Sequence, residues 1–172
     1  MTCPSIPDPV RRVHLKTALA TVTTAAIDSL GMASLGMASL ARADPVPFDP
    51  SRYAGRIVYL DFWASWCPPC LQSFPWMAQI TERYAARGLA VVAVNLDRDR
   101  GAADRFLSRA APTFEIVFDP KGDVAKAYQL NAMPSSFLLD RESRIVHRHV
   151  GFRVADQVEL ESRIRGLLEN RS

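Results

Sequence analysis

Cysteine is scarce in this chain, with three among 172 residues. So few cannot build the dense disulfide framework of a small secreted scaffold. Long apolar runs are missing too: no stretch of about 18 charge-free apolar residues occurs, which argues against a membrane anchor. No basic run or basic stripe accompanies the net charge of +3, so nucleic acid is not an expected partner. The five-residue unit SLGMA appears twice in tandem, at 29–33 and 34–38, but is far too short for a repeat fold. What is present is the balance of a globular protein, 48% hydrophobic and 23% charged, with length for one domain and a real core.

The first 43 residues differ in character from the rest. VRRVHLK at 10–16 precedes a stretch rich in Ala, Thr, Ser, Leu and Gly, which ends on Ala41-Arg42-Ala43. A basic start, a mildly apolar middle and a small-x-small ending describe a signal peptide cut before Asp44. RRVHLK also approaches a twin-arginine export pattern, with His14 at an expected aromatic position. The expected domains are therefore 1–43, an export signal, and 44–172, the mature protein, in the periplasm or another extracytoplasmic space. Removing 1–43 takes away Cys3, Arg11, Arg12, Lys16, Arg42, Asp8 and Asp28. A net charge of +1 remains, with Cys67 and Cys70 as the only cysteines.

Along the mature chain, Asp44 to Ser51 carries three prolines and is expected as an extended lead-in. Arg56–Trp63 and Leu89–Leu96 read as buried strands. Between them a helix is expected from Cys67 to about Arg87. Phe74, Met77, Ile80 and Tyr84 form its apolar face, Pro75 kinks it and Gly88 stops it. A helix over Gly101–Ala110, a strand over Glu115–Phe118, a turn at 119–122 and a short helix over Asp123–Tyr128 follow. Strands over Ser135–Leu139 and Arg144–Val150 flank a turn. A last helix over Ala155–Asn170 would point Val158, Ile164, Leu167 and Leu168 inward. This order gives a parallel pair followed by an antiparallel hairpin: an α/β fold, with a mixed sheet covered by helices on both faces.

The chemistry sits in FWASWCPPCLQS, residues 62–73. A structural zinc site needs four ligands, and no second Cys pair exists. His147 and His149 are spaced more tightly than usual zinc histidines and read as polar residues on a wet strand edge. A purely structural disulfide would close too small a loop to stabilise much. A redox pair uses every feature. Cys67 stands where a strand gives way to a helix, a position that favours a thiolate nucleophile. Cys70 lies one turn on, close enough to resolve a mixed disulfide. Pro68 and Pro69 suit a first helical turn.

WASWCPPC following VYLDF resembles the active site of the thioredoxin superfamily. Pro75 falls five residues after Cys70, as in that family. NAMPSSFLLDRESRIV resembles its cis-proline segment, and HVGF with the segment after LAVVAVNL resembles the TlpA-like branch. The likeness covers about residues 48–168. It implies a thioredoxin-like fold with a TlpA-type strand–helix insertion. Cys67 would be the nucleophile and Cys70 the resolving thiol. Asp61 would be a buried acid that moves the Cys70 proton, and Met133-Pro134 a cis bond lining the substrate groove. Many TlpA-like chains carry asparagine where this one has Asp61. Trp66, Pro68, Pro69 and Met133 would face the substrate. No cofactor or metal is implied beyond the Cys67–Cys70 couple. The implied activity is reduction of disulfides in exported cysteine-containing proteins, such as apocytochrome c or copper-site proteins. A membrane thiol transporter would donate the electrons, and the protein would be a monomer. The alternatives are a disulfide oxidase or isomerase, differing only in potential, and a copper(I)-binding module, since thiolates favour soft metals.

Overall fold

The structure, a computed structural model, describes residues 48–170. The export segment expected over 1–43, Cys3 and the first four residues of the lead-in lie outside the described residues.

Strand β1 (Ile57–Trp63) is buried at all seven positions. It lies between β2 (Leu89–Asn95) and β4 (Ser135–Leu139), in a five-stranded sheet of order β3-β2-β1-β4-β5. β2 pairs in parallel with β1 and with β3 (Glu115–Phe118), whereas β4 runs antiparallel to β1 and to β5 (Ile145–Val150). A strand buried on both faces needs a nearly continuous apolar run, and IVYLDFW supplies one with a single exception, Asp61.

The alternation of strand side chains divides the core. Ile57, Tyr59, Trp63, Val91, Ala93 and Leu138 face α1 (Pro68–Gln72), α2 (Phe74–Tyr84), α3 (Arg100–Ala110) and α5 (Asp156–Glu169). On the opposite face, Val58, Leu60, Phe62, Val92, Phe137 and Leu139 meet Phe48, Tyr53 and α4 (Asp123–Ala127). Helices on both faces agree with the expectation. α3 and β3 form the extra helix and strand between β2 and α4, with β3 extending the sheet beyond β2.

Four local expectations need correction. The lead-in is not extended at its end: Pro50–Tyr53 form a 3-10 turn, because Asp49 caps it by accepting from the Ser51 N–H at 2.9 Å and Pro50 suits its first position. The long helix from Cys67 is two helices rather than one kinked helix. They part at Ser73, since Pro75 lacks an N–H for the Leu71 carbonyl and its ring crowds that carbonyl. Gly88 does end the segment, at φ 102°. In α5, Val158 is 76% exposed and Leu160 is buried with Ile164 and Leu168, which are one and two turns on. The period runs 160, 164, 168, and 158 falls off that stripe. His147 and His149 do lie on the edge strand, yet both are half-buried under α5.

Candidate active site

β1 delivers the chain into a tight loop at Ala64–Trp66, and α1 begins immediately beyond Cys67. Cys67 is the residue capping α1, and its carbonyl accepts from the N–H groups of Cys70 (3.0 Å) and Leu71 (3.3 Å). The two sulfurs are bonded at 2.04 Å, with Cα atoms 5.3 Å apart. Exposure separates them: Cys67 is 6% exposed and Cys70 is fully buried. Only Cys67 can meet an incoming disulfide, which suits it to be the attacking sulfur.

The helix terminus does less for a Cys67 thiolate than its position suggests. Pro68 and Pro69 carry no N–H, and the next two N–H groups are already bonded to the Cys67 carbonyl. What remains is the dipole of a five-residue helix.

Sequence reasoning missed the clasp that holds the loop. Asp97, 4% exposed just beyond β2, accepts from the Ser65 N–H at 3.0 Å, from the Ser65 hydroxyl at 3.1 Å and from Asn95 Nδ2 at 2.8 Å. Asn95 Oδ1 in turn accepts from the Asp97 N–H at 3.1 Å. The pair fixes the residue two before Cys67 from a strand 32 positions away. An Asn-x-Asp ending a buried apolar strand was the available signal, because such a carboxylate must find donors.

The Met133–Pro134 bond is cis. Pro134 is buried, its carbonyl accepts from the Gly151 N–H at 2.8 Å, and Met133 packs against the cluster that contains both cysteines. Arg148 braces the approach to this segment, with its guanidinium 4.8 Å from the Phe137 ring centroid and a hydrogen bond of 2.8 Å to the Tyr128 carbonyl. Trp66 is 67% exposed, so core packing does not hold it and its indole is open to a partner. Pro68 and Pro69 are exposed beside it.

Asp61 points into the same helix-covered face as Tyr59 and Trp63. It is 2% exposed, and its Oδ2 bonds to no described residue. Burial pushes its carboxyl well above the ordinary range. The Tyr59 phenol is raised as well, by burial first and then by the Asp61 charge. Among the described residues, no group of three or more His, Cys, Asp or Glu side chains is placed to hold a metal. No described helix is long and apolar enough to cross a membrane.

Comparison with known proteins shows which family and which relatives the chain is similar to. Residues 15–164 match the Redoxin family. The thiol-disulfide oxidoreductase ResA of Geobacillus kaustophilus is 31% identical over 109 residues, 63% of each chain. The chain thus spans less than two thirds of the length of that curated relative. A Chlorobium tepidum structure assigned as a thiol:disulfide interchange protein DsbE is 51% identical, with 69% of this chain and 84% of that one covered at a TM-score of 0.68. A Neisseria meningitidis structure assigned as a thioredoxin is 21% identical, with 71% and 81% covered at a TM-score of 0.65, and shares the fold. The fold is thioredoxin-like.

Proposed function

Because the chain belongs to the Redoxin family, in the thioredoxin superfamily, we propose that it is a thiol–disulfide oxidoreductase working outside the cytoplasm as a reductant. One observation carries the reading. A Cys67–Cys70 disulfide stands at the start of α1, with the outer sulfur slightly exposed and the inner one buried beside a cis proline segment. The names of the relatives support the activity, and the export pattern in 1–43 supports the location.

The cycle starts from the reduced pair. The Cys67 thiolate attacks a substrate disulfide, a mixed disulfide forms, and the first substrate sulfur leaves as a thiolate. Cys70 gives its proton to Asp61 and attacks the Cys67 sulfur. The second substrate sulfur leaves, and the Cys67–Cys70 disulfide is restored. Two electrons pass to the substrate. Asp61 suits the transfer in its ionised form: the fraction that is carboxylate at a given pH is unusually basic, because burial raises its affinity for a proton, so it can compete for that of a thiol. Trp66, Pro68, Pro69 and Met133 would form the receiving surface. Exported cysteine-containing proteins, such as apocytochrome c or copper-site proteins, would be the substrates, and a membrane thiol transporter would re-reduce the pair.

The test is the reduction potential of the pair in residues 44–172, measured in thiol buffers. A value near about −270 mV or below is expected of a reductant. A value near about −120 mV would replace this reading with an oxidase. Cys70→Ser should trap substrates as mixed disulfides on Cys67, and failure to trap any would sink the mechanism.

A further inference from the structure

The strand register places one polar residue on each of three adjacent strands, in a line across the helix-covered face. Asp61 of β1 stands opposite Ser136 of β4, and Ser136 stands opposite His149 of β5. Directly opposed residues of antiparallel strands project to the same side, with Cβ atoms about 4.5–5.5 Å apart. The neighbouring rungs agree on the side: Tyr59 and Leu138 are opposed and both belong to this core, whereas Leu60 and Phe137 are opposed and both belong to the other. β5 is the last strand of the sheet, so the line runs from the interior to its edge.

Each position carries a group that handles protons. Asp61 Oδ2 is buried with no hydrogen bond to a described residue. Ser136 is 3% exposed, and its hydroxyl both donates and accepts. It lies close enough to influence the Tyr59 phenol, although no hydrogen bond of proper geometry forms to that oxygen. His149 Nε2 lies 3.3 Å from Asp156 Oδ2, and its side chain keeps 18% exposure. An imidazole that donates from Nε2 keeps a lone pair on Nδ1. A buried carboxyl that takes a thiol proton in each turnover must return it to water, and the side chains that pack on this face around the row are mostly apolar, with the Tyr59 phenol and Asn95 among the other polar groups of β1 and β2 there.

We propose that the row Asp61, Ser136, His149 is the route by which the proton taken from Cys70 leaves the interior, with Asp156 holding the imidazole at its outer end. The inference rests on the thiol–disulfide reading above. As the Cys70 sulfur bonds to Cys67 and the substrate thiolate departs, the Asp61 carboxylate holds the Cys70 proton. Asp61 passes that proton to the Ser136 oxygen, and the Ser136 hydroxyl proton moves to His149; Ser136 hydrogen-bonds neither group in the oxidised protein, so each hand-off requires its hydroxyl to turn toward the neighbour that the register places beside it. The imidazolium then releases a proton to solvent, which is the proton the departed thiolate takes up. No electron moves along the row.

The surroundings of His149 include His147 on its own strand, with ring centroids 6.4 Å apart, and Asp156 and Glu159 of α5, while Arg163 of α5 acts on His147. Arg153 also lies on Asp156 at 3.2 Å. Asp61 faces Tyr59.

The experiment is single-turnover reduction of insulin by the fully reduced protein, followed across about pH 5 to 8. His149→Gln should slow resolution of the mixed disulfide about three- to tenfold near neutrality, less than a directly placed acid or base contributes. Its pH dependence should flatten, and added imidazole should restore the rate. Ser136→Ala, which removes one buried oxygen and leaves the His149–Asp156 pair in place, should slow the same step without responding to imidazole. Neither should move the reduction potential. Unaltered rates and pH profiles in both variants would overturn the route alone. Slowing that is equal at every pH and indifferent to imidazole would also overturn it, since that marks a packing role. An inactive wild type at every pH would overturn the thiol–disulfide reading, and the route with it.

Discussion

Asp61→Asn should make the protein more stable and less active, with a pH signature. Burial raises the Asp61 pKa in the folded protein, whereas the unfolded chain holds an ordinary carboxyl near about 3.9. Between those two values the folded state binds one proton more than the unfolded state. Asp61's contribution to stability is therefore fully present below the unfolded value and is lost as pH rises toward the folded one. Within that window the residue removes about 1.4 kcal/mol for each pH unit. The asparagine variant has no such titration. Its advantage over the wild type should grow by about 1.4 kcal/mol per unit through the window, then level off above the raised value. Urea unfolding of both oxidised proteins at pH 5, 6 and 7 measures this directly. A difference that stays constant with pH, or shrinks as pH rises, would refute the assignment of Asp61 as a carboxyl stranded in an apolar core. Activity should move the other way, with disulfide exchange falling by about 10- to 100-fold, the range up to the lower end of what a positioned acid or base supplies.

Asp97→Ala removes the acceptor for three donors, two of them on Ser65. It should lower stability by about 2–4 kcal/mol in urea unfolding, from donors left buried without partners. Trp66→Ala should leave the melting temperature nearly unchanged, since the indole is 67% exposed. It should raise KM for a protein disulfide and leave a small-molecule disulfide unaffected. Leu160→Ala should cost about 2–5 kcal/mol, while Val158→Ala should cost less than about 0.5 kcal/mol. The reverse order in thermal unfolding would show that the α5 stripe had been misassigned.

The strands and the cysteine motif were readable because their signals are local. IVYLDFW and LAVVAVN are continuous apolar runs, and only an interior strand hides both faces of such a run. Cys67, Pro68, Pro69 and Cys70 fix a redox-competent geometry within four neighbouring residues. Val158 misled because an apolar residue near a helix start need not lie on the buried stripe; the contacts of α5 with the sheet place Leu160 there instead. The break at Ser73 shows the same limit. Proline announces a disturbance, but the packing of the two helices decides whether it becomes a bend or an end.

By itself the sequence determined the sheet-and-helix alternation, the central strand and the placing of a close Cys67–Cys70 pair at a helix start, all consequences of side-chain period and short-range chemistry. Only the tertiary structure decided that Asp97 clasps Ser65 and that Asp61, Ser136 and His149 fall in one line. The clasp joins residues 32 positions apart, and the line follows from the pairing of strands that bring Asp61 opposite Ser136 and Ser136 opposite His149. Register is set by how two apolar faces fit against the helices above and below them, which no single segment of the chain contains.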